Sequence, residues 1–288
     1  MSETLLDTLA SIRFIDDCLV LNHTDPLWNH ALDEGIASHV AKKQQPATVR
    51  CWRYQRALMM GRRDMRLPRM SEAIEWILAK GYDVAVRPCG GACVPLDQDV
   101  LNVSLILPAQ DYKALPLSEG FRMMANLLSE SLQKVADVRT GEVEGSYCPG
   151  DFDLSVDRIK IAGIAQRRVM GAAIIQAFLL VRGSGEQYFD LIRQMYERAG
   201  LYDTMESHRP LPSLRSGSMG SLEEIVKIEI SPQQVTDRIL QHLQARVGAG
   251  NVSSTNVSTA EIHAAQMERQ RFQSQLQLVC YLHANPND

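Results

Sequence analysis

The sequence predicts an α+β fold, a mixed or antiparallel sheet flanked by helices. Three observations carry this. Short segments rich in β-branched residues recur through the middle of the chain, amphipathic helical stretches lie before, between and after them, and no strict βαβ alternation links them. Neither a Rossmann glycine fingerprint nor a P-loop of the GxxxxGK[ST] form is present. The chain has 288 residues, which suits one large domain or one domain with an appendage.

Residues 1–24 carry no clear pattern. From Asp25 the text DPLWNHALDEGIASHVAKK reads as a helix. Asp25 suits a cap and Pro26 the first turn, and Trp28, Leu32 and Ile36 share one face. TVRCWRY (48–54) and the following ALMMG read as a hairpin or two adjacent strands. MSEAIEWILAKG predicts a helix from about Met70, with Ser71 as N-cap and Gly81 as its stop. DVAVRP is a strand, followed by a glycine loop at Cys89–Cys93. VLNVSLILP is an apolar strand ending at Pro108. Residues 116–136 form the longest clear amphipathic helix.

Gly141 to Gly150 is a loop. FDLSV, KIAGIAQRRV and AAIIQAFLLVRG follow as strands joined by turns. GEQYFDLIRQMYERAG is a helix with Phe189, Ile192, Met195 and Tyr196 on its apolar face. A Pro/Gly/Ser connector spans 205–220. Ser221 and Glu224 have capping-box spacing, and a helix follows from Ser231. GAGNVSSTNVSTAE reads as a flexible linker before a glutamine-rich, helix-like tail.

Charged residues make up 22% of the chain and the formal net charge is -4, which argues against dominant polyanion binding and hence against a nucleic-acid partner. No apolar run approaches the roughly eighteen residues of a membrane span, and the acidic start lacks a secretory pattern. On these features a cytoplasmic protein is expected. There the six cysteines need not form disulfides. Cys89 and Cys93 have no nearby histidine or second cysteine pair, so no metal is expected.

Three blocks resemble the superfamily of lipoate–protein ligases, octanoyltransferases and biotin ligases. VRPCGGACVPLDQDVLNVSLILP is similar to the family's R-x-S-G-G-x-A loop and N-x-S/T strand. EGSYCPGDFDLSVDRIKIAGIAQRR resembles its cysteine segment, its lysine in a K-x-x-G context and its Q-R-R run. SMGSLEEI…SPQQVTDRILQHL resembles the helical extension of the amidotransferase branch. Cys89 stands where the family usually has serine, Cys93 where alanine is common, and Pro95 where an aliphatic residue is usual. The resemblance implies a lipoate ligase/biotin ligase-like catalytic domain over 25–245, its helical extension starting near 221. Residues 246–288 are then a flexible linker and a helical or disordered tail.

The resemblance implies an N-octanoyltransferase working without cofactor or nucleotide. It would take an octanoyl group from the lipoyl-domain lysine of glycine cleavage H protein and pass it to lipoyl-domain lysines of 2-oxoacid dehydrogenase acyltransferase subunits. Cys148 is the expected nucleophile, since a thioester is far more reactive toward amines than an amide. Lys160, on the next strand, is expected to return toward Cys148, lower its pKa and handle the proton. Arg87, Gly90 and Gly91 form the loop against the acyl chain, and the glycine amides suit a carbonyl oxygen. One of Asn102 and Ser104 reaches the pocket while the other serves loop backbone. Gly163 leaves room for the acyl chain or incoming lysine, and Gln166 orients backbone groups. One of Arg167 and Arg168 pairs internally; the other, with Arg62 and Arg63, faces an acidic partner. None of the seven histidines lies between residues 40 and 207, so a cysteine–lysine pair without histidine is expected. The competing readings are an octanoyltransferase fed by acyl carrier protein, an ATP-dependent lipoate–protein ligase, and a non-catalytic lipoyl-domain binder.

Overall fold

A computed structural model of the chain describes residues 9–22, 25–109, 115–169, 171–201 and 214–284, with side chains only to 274 in the last helix. An eight-stranded mixed sheet organises it. Its strands are β1 (Ile12–Asn22), β2 (Ala47–Tyr54), β6 (Val100–Pro108), β7 (Arg139–Thr140), β8 (Leu154–Val156), β9 (Ile159–Val169), β10 (Ala172–Leu180) and β11 (Val252–Ser254). They lie in the order β11-β1-β2-β6-β10-β9-β8-β7. Only the two pairings made by β1, with β2 and β11, are parallel. A smaller sheet has the order β4-β3-β5, from β3 (Arg56–Met60), β4 (Asp83–Val86) and β5 (Val94–Asp97).

Strand β6 shows how the site is placed. Its side chains alternate between faces. Leu101, Val103, Leu105 and Leu107 point into a core with α3 (Leu117–Leu132) and α6 (Pro232–Val247). The other face reads Val100, Asn102, Ser104, Ile106. Val100 joins the core beneath the small sheet, and Ile106 joins the core beneath α1 (Trp28–Ala41). The two polar residues fall between these cores. Asn102 faces a cavity, while Ser104 is buried beneath α1 with its hydroxyl bonded to Asp33.

Helix α1 is buried on nearly every side, including Asn29, His30, Asp33 and Glu34. The predicted Trp28/Leu32/Ile36 face accounts for only one of its contacts. Its outer side is covered by α7 (Thr259–Ala284), at a close approach that requires glycine: a Cβ on Gly35 would lie 2.5 Å from the Glu261 carbonyl oxygen. Where a flexible linker is expected, β11 extends the sheet beside β1. The fully buried Arg13–Glu261 pair (2.5 Å) then ties β1 to α7.

Other elements match expectation with local differences. Strands β2 and β3 do not form a hairpin; they belong to different sheets, because the chain breaks at Gln55 and passes from one layer to the next. Helix α2 (Met70–Ala79) begins one residue before Ser71, which therefore does not cap it, and Gly81 ends it at φ +77°. Helix α4 (Gly185–Arg198) buries Phe189, Ile192, Met195 and Tyr196. The Ser221–Glu224 capping box opens the short helix α5 (Leu222–Val226). Most of the 205–220 connector lies outside the described residues. Among those described, no helix is long and apolar enough to cross a membrane.

Candidate active site

Paired residues on four strands form the floor of a cavity of about 440 Å³. Trp52 on β2 pairs with Asn102 on β6, Asn102 with Phe178 on β10, and Phe178 with Gly163 on β9. All four line the cavity, together with Gln176 on the floor, His30 from α1, Met59, Val94 and Leu96 from the small sheet, and Phe121 from α3. The cavity is within the size range of small-molecule sites and has mainly apolar walls with few polar groups.

Cys148 enters this cavity from the loop between β7 and β8. Its sulfur receives two donors: Arg87 Nη2 at 3.2 Å and the backbone N–H of Ala92, also at 3.2 Å. Both contacts place a donor hydrogen toward the sulfur. The same guanidinium nitrogen donates to the Ala92 carbonyl, so arginine, glycine loop and sulfur form one cluster. Burial works against the Arg87 charge, but the Cys148 and Cys89 sulfurs outweigh it and its pKa is raised. Gly91 at φ +97° is indispensable to the cluster, because a Cβ there would lie 2.3 Å from Arg87 Nη2 and 2.9 Å from Cys148 Sγ. Gly90 has open space around it, so the steric demand falls on its neighbour alone.

The other described cysteines are of a different kind. Cys18, Cys51, Cys89 and Cys93 are free and buried. Burial pushes the Cys18 thiol up to about 12 and raises Cys51, Cys89 and Cys93 as well. Cys148 is the half-exposed member of the set.

Lys160 approaches Cys148 as expected, but by its backbone. Its Nζ is fully buried and donates to Tyr147 O (3.0 Å), Cys148 O (2.7 Å) and Asp153 Oδ2 (2.7 Å). An ammonium has three hydrogens, and these three acceptors take them. The cation at the sulfur is therefore Arg87, not Lys160, because the twelve-residue return from Cys148 to β9 brings the lysine beneath the loop rather than across the cavity. Cys148 has φ +48°, a conformation costly for a side-chain-bearing residue unless its surroundings enforce it. The Lys160 bonds on either side of that residue supply the enforcement.

Asp153 is absent from the sequence reading. It accepts from Gly150 N (3.0 Å) as well as Lys160, closing the PGDFD turn. Burial raises its carboxyl to about 6 against the pull of Lys160. An aspartate three residues after a Pro-Gly turn is a local signal for such closure.

The remaining candidates divide. Asn102 lines the cavity. Ser104 accepts from Trp52 Nε1 (2.9 Å) and donates to Asp33 Oδ2 (2.5 Å), so it serves side chains rather than loop backbone. The space above Gly163 belongs to Phe178: a Cβ would lie 2.6 Å from its ring. Gln166, with its amide turned to satisfy both ends, donates to Leu117 O and accepts from Arg168 Nε, each at 3.0 Å. Arg167 donates to Glu34 Oε1 (2.5 Å) and Pro88 O (2.9 Å), while Arg168 holds Leu115 O. Both arginines are thus used internally. Arg62 and Arg63 are exposed on a turn that Gly61 presses against the Gly91 carbonyl. His30, Trp52, Gln176 and Phe178 were not legible as cavity residues, since each lies on an ordinary apolar or amphipathic stretch.

A cysteine thiol within hydrogen-bond reach of a guanidinium and a backbone amide, in an apolar-walled cavity, is an arrangement that suits covalent acyl transfer. The model of the lipoyl protein ligase A/B catalytic domain matches residues 25–244. An octanoyl-[GcvH]:protein N-octanoyltransferase of Bacillus velezensis is 34% identical, the match covering 83% of each chain. A lipoyl-[GcvH]:protein N-lipoyltransferase of Listeria monocytogenes is 31% identical over 87% of this chain and 88% of its own. The fold is similar to that of lipoate-protein ligase A bound with ATP, with TM-score 0.64, 18% identity and coverage of 92% and 94%. The chain belongs to the lipoyl protein ligase A/B catalytic-domain family.

Proposed function

We propose that the protein is an N-octanoyltransferase that moves an octanoyl group from the lipoyl-domain lysine of glycine cleavage H protein to lipoyl-domain lysines of 2-oxoacid dehydrogenase acyltransferase subunits. The observation that carries this reading is the Cys148 sulfur, reached by Arg87 and the Ala92 amide in an apolar-walled cavity. The likeness to transferases acting on GcvH supports the donor.

In the first half-reaction the Cys148 sulfur attacks the amide carbonyl of the donor. The C–N bond breaks, the donor lysine amine leaves with the thiol's proton, and a thioester remains. In the second, the acceptor lysine amine attacks that thioester, the C–S bond breaks and the thiol is restored. The Ala92 amide, 3.2 Å from the sulfur, is the loop donor proposed to meet the oxyanion as it develops. Lys160 acts in this scheme as a positioning residue that holds the Cys148 loop. The exposed Arg62 and Arg63, beside the glycine loop, face an acidic protein substrate. We place the reaction in the cytoplasm, where free thiols stay reduced.

The test is intact mass after mixing with octanoylated H protein in the absence of ATP. A covalent octanoyl adduct that disappears in Cys148→Ala, and discharges onto an added lipoyl domain, is the expected result. Transfer that requires ATP and survives the substitution would replace this reading with a ligase. Preference for octanoyl-acyl carrier protein would change the donor.

A further inference from the structure

The cavity contains two hydrogen-bond donors that have nothing to bond. His30 Nε2 and Asn102 Nδ2 are buried and without a partner, the residues being 5% and 4% exposed, and both residues line the cavity. Gln176 Nε2 bonds both Asp33 Oδ2 (2.6 Å) and His30 Nδ1 (3.2 Å). Its amide has two hydrogens, one for each. His30 Nδ1 is thus the acceptor, and the ring proton sits on Nε2. Burial, aided by Arg87, drives the His30 pKa down to about 3, so the ring is neutral at working pH. Trp52 packs edge-on against it at 5.8 Å and Asp33 is fixed by Arg50, so the imidazole is held firmly.

A buried donor without an acceptor is costly, and an octanoyl chain offers none beyond its carbonyl. Strand order shows which part of the acyl group meets the pair. Cys148 is tethered to β9 by Lys160, while Asn102 lies two strands away, on β6. Two strand spacings are about 10 Å, which is well down a medium-length acyl chain from its carbonyl. His30, from α1, sits over the same floor, edge-on to Trp52 and bonded to Gln176.

We propose that His30 Nε2 and Asn102 Nδ2 form a two-donor clasp for an acceptor heteroatom on the tail of the acyl group, and so determine which medium-chain acyl groups the enzyme accepts. The inference rests on the acyl-transfer reading of Cys148. The acceptor is an oxygen on the chain or the sulfurs of a dithiolane ring; oxygen is the stronger.

Three free acids separate the cases by calorimetric titration of the full chain: octanoate, its oxo derivative at the sixth carbon, and lipoate. The wild type is expected to bind at least one acceptor-bearing acid about tenfold more tightly than octanoate, the discrimination of one good hydrogen bond. The preferred acid identifies oxygen or sulfur. His30→Leu and Asn102→Val should each reduce that ratio severalfold by weakening the acceptor-bearing acid. Equal ratios in wild type and both folded variants would overturn the clasp and leave the two donors to a bound water. The same ratio is then read as kcat/KM with H protein carrying each acyl group. Loss of transfer with the binding ratio intact would count against the acyl-transfer reading and not against the clasp.

Discussion

Arg87 Nη2 and Cys148 Sγ lie 3.2 Å apart, joining a strand-end arginine of the small sheet to a loop cysteine 61 residues later. The contact brings the two sheets' contributions to the cavity together, since both residues line it. Arg87→Lys keeps the charge but cannot hold both the sulfur and the Ala92 carbonyl with one planar fork. Thioester formation is expected to slow about 100-fold or more, as when a donor to a developing charge is removed. Single-turnover acylation measures this, and the alkylation rate of Cys148 should fall in parallel. Unchanged alkylation would mean the arginine does not activate the sulfur.

Lys160 and Asp153 form a buried pair at 2.7 Å. Lys160→Met leaves a carboxylate without its cation and two carbonyls without a donor. A loss of about 3–5 kcal/mol is expected in denaturant unfolding, because breaking one side of a buried pair leaves the other uncompensated. Adding Asp153→Leu should restore much of that stability without restoring transfer, since neither side chain then fixes Cys148 at its positive φ. Transfer recovered along with stability would make the pair purely structural.

The Asp153 carboxyl, raised to about 6, gives a pH signature. The folded state holds this proton to higher pH than the unfolded chain, whose aspartate titrates near 3.9. The stabilising contribution is therefore complete below the unfolded value and is lost as pH rises through about 6. The Lys160 ion pair forms over the same interval. Acyl transfer should rise with pH along a limb near pH 6, and the limb should be absent in Asp153→Asn. The stability advantage of the wild type over that variant should shrink between pH 4 and pH 7. A limb of unchanged position in Asp153→Asn would assign it to another group.

Cys148 and Lys160 could be singled out as candidates because the motifs that carry them are local. Cys148 sits in a Tyr-Cys-Pro-Gly turn, and Lys160 follows at the distance of one strand return. The β6 to β10 ladder follows from alternating apolar residues. Other features depend on partners that no spacing specifies. Arg87 meets the sulfur because Gly91 has no side chain. Gly163 serves Phe178 because the two are paired across β9 and β10. His30 reaches the cavity because α7 covers the opposite side of α1 and turns a surface helix into an interior one. β2 and β3 looked like a hairpin because adjacency in sequence does not reveal a change of sheet.

The C-terminal segment supplies the last prediction. Arg13 donates to both Glu261 oxygens, at 2.5 and 3.1 Å, and both side chains are buried. Burial raises the Glu261 carboxyl, but bonds from Arg13 and Ser258 outweigh it and its pKa is lowered. A depressed carboxyl gives stability that is present above the unfolded value and lost as pH falls through the folded one, the opposite sign to Asp153. Glu261→Ala strands the arginine inside the protein and should cost about 3–5 kcal/mol at neutral pH. Arg13→Met with Glu261→Leu should cost less than either single change, and its stability should fall less steeply between pH 5 and pH 3. Truncation after residue 247 removes Glu261, the strand beside β1 and the helix covering α1 together. It should therefore lower stability by more than Glu261→Ala and loosen α1, which amide exchange along 28–41 would register. If the truncated chain melts at the wild-type temperature with α1 equally protected, the tail is an ornament on the domain and not part of its core.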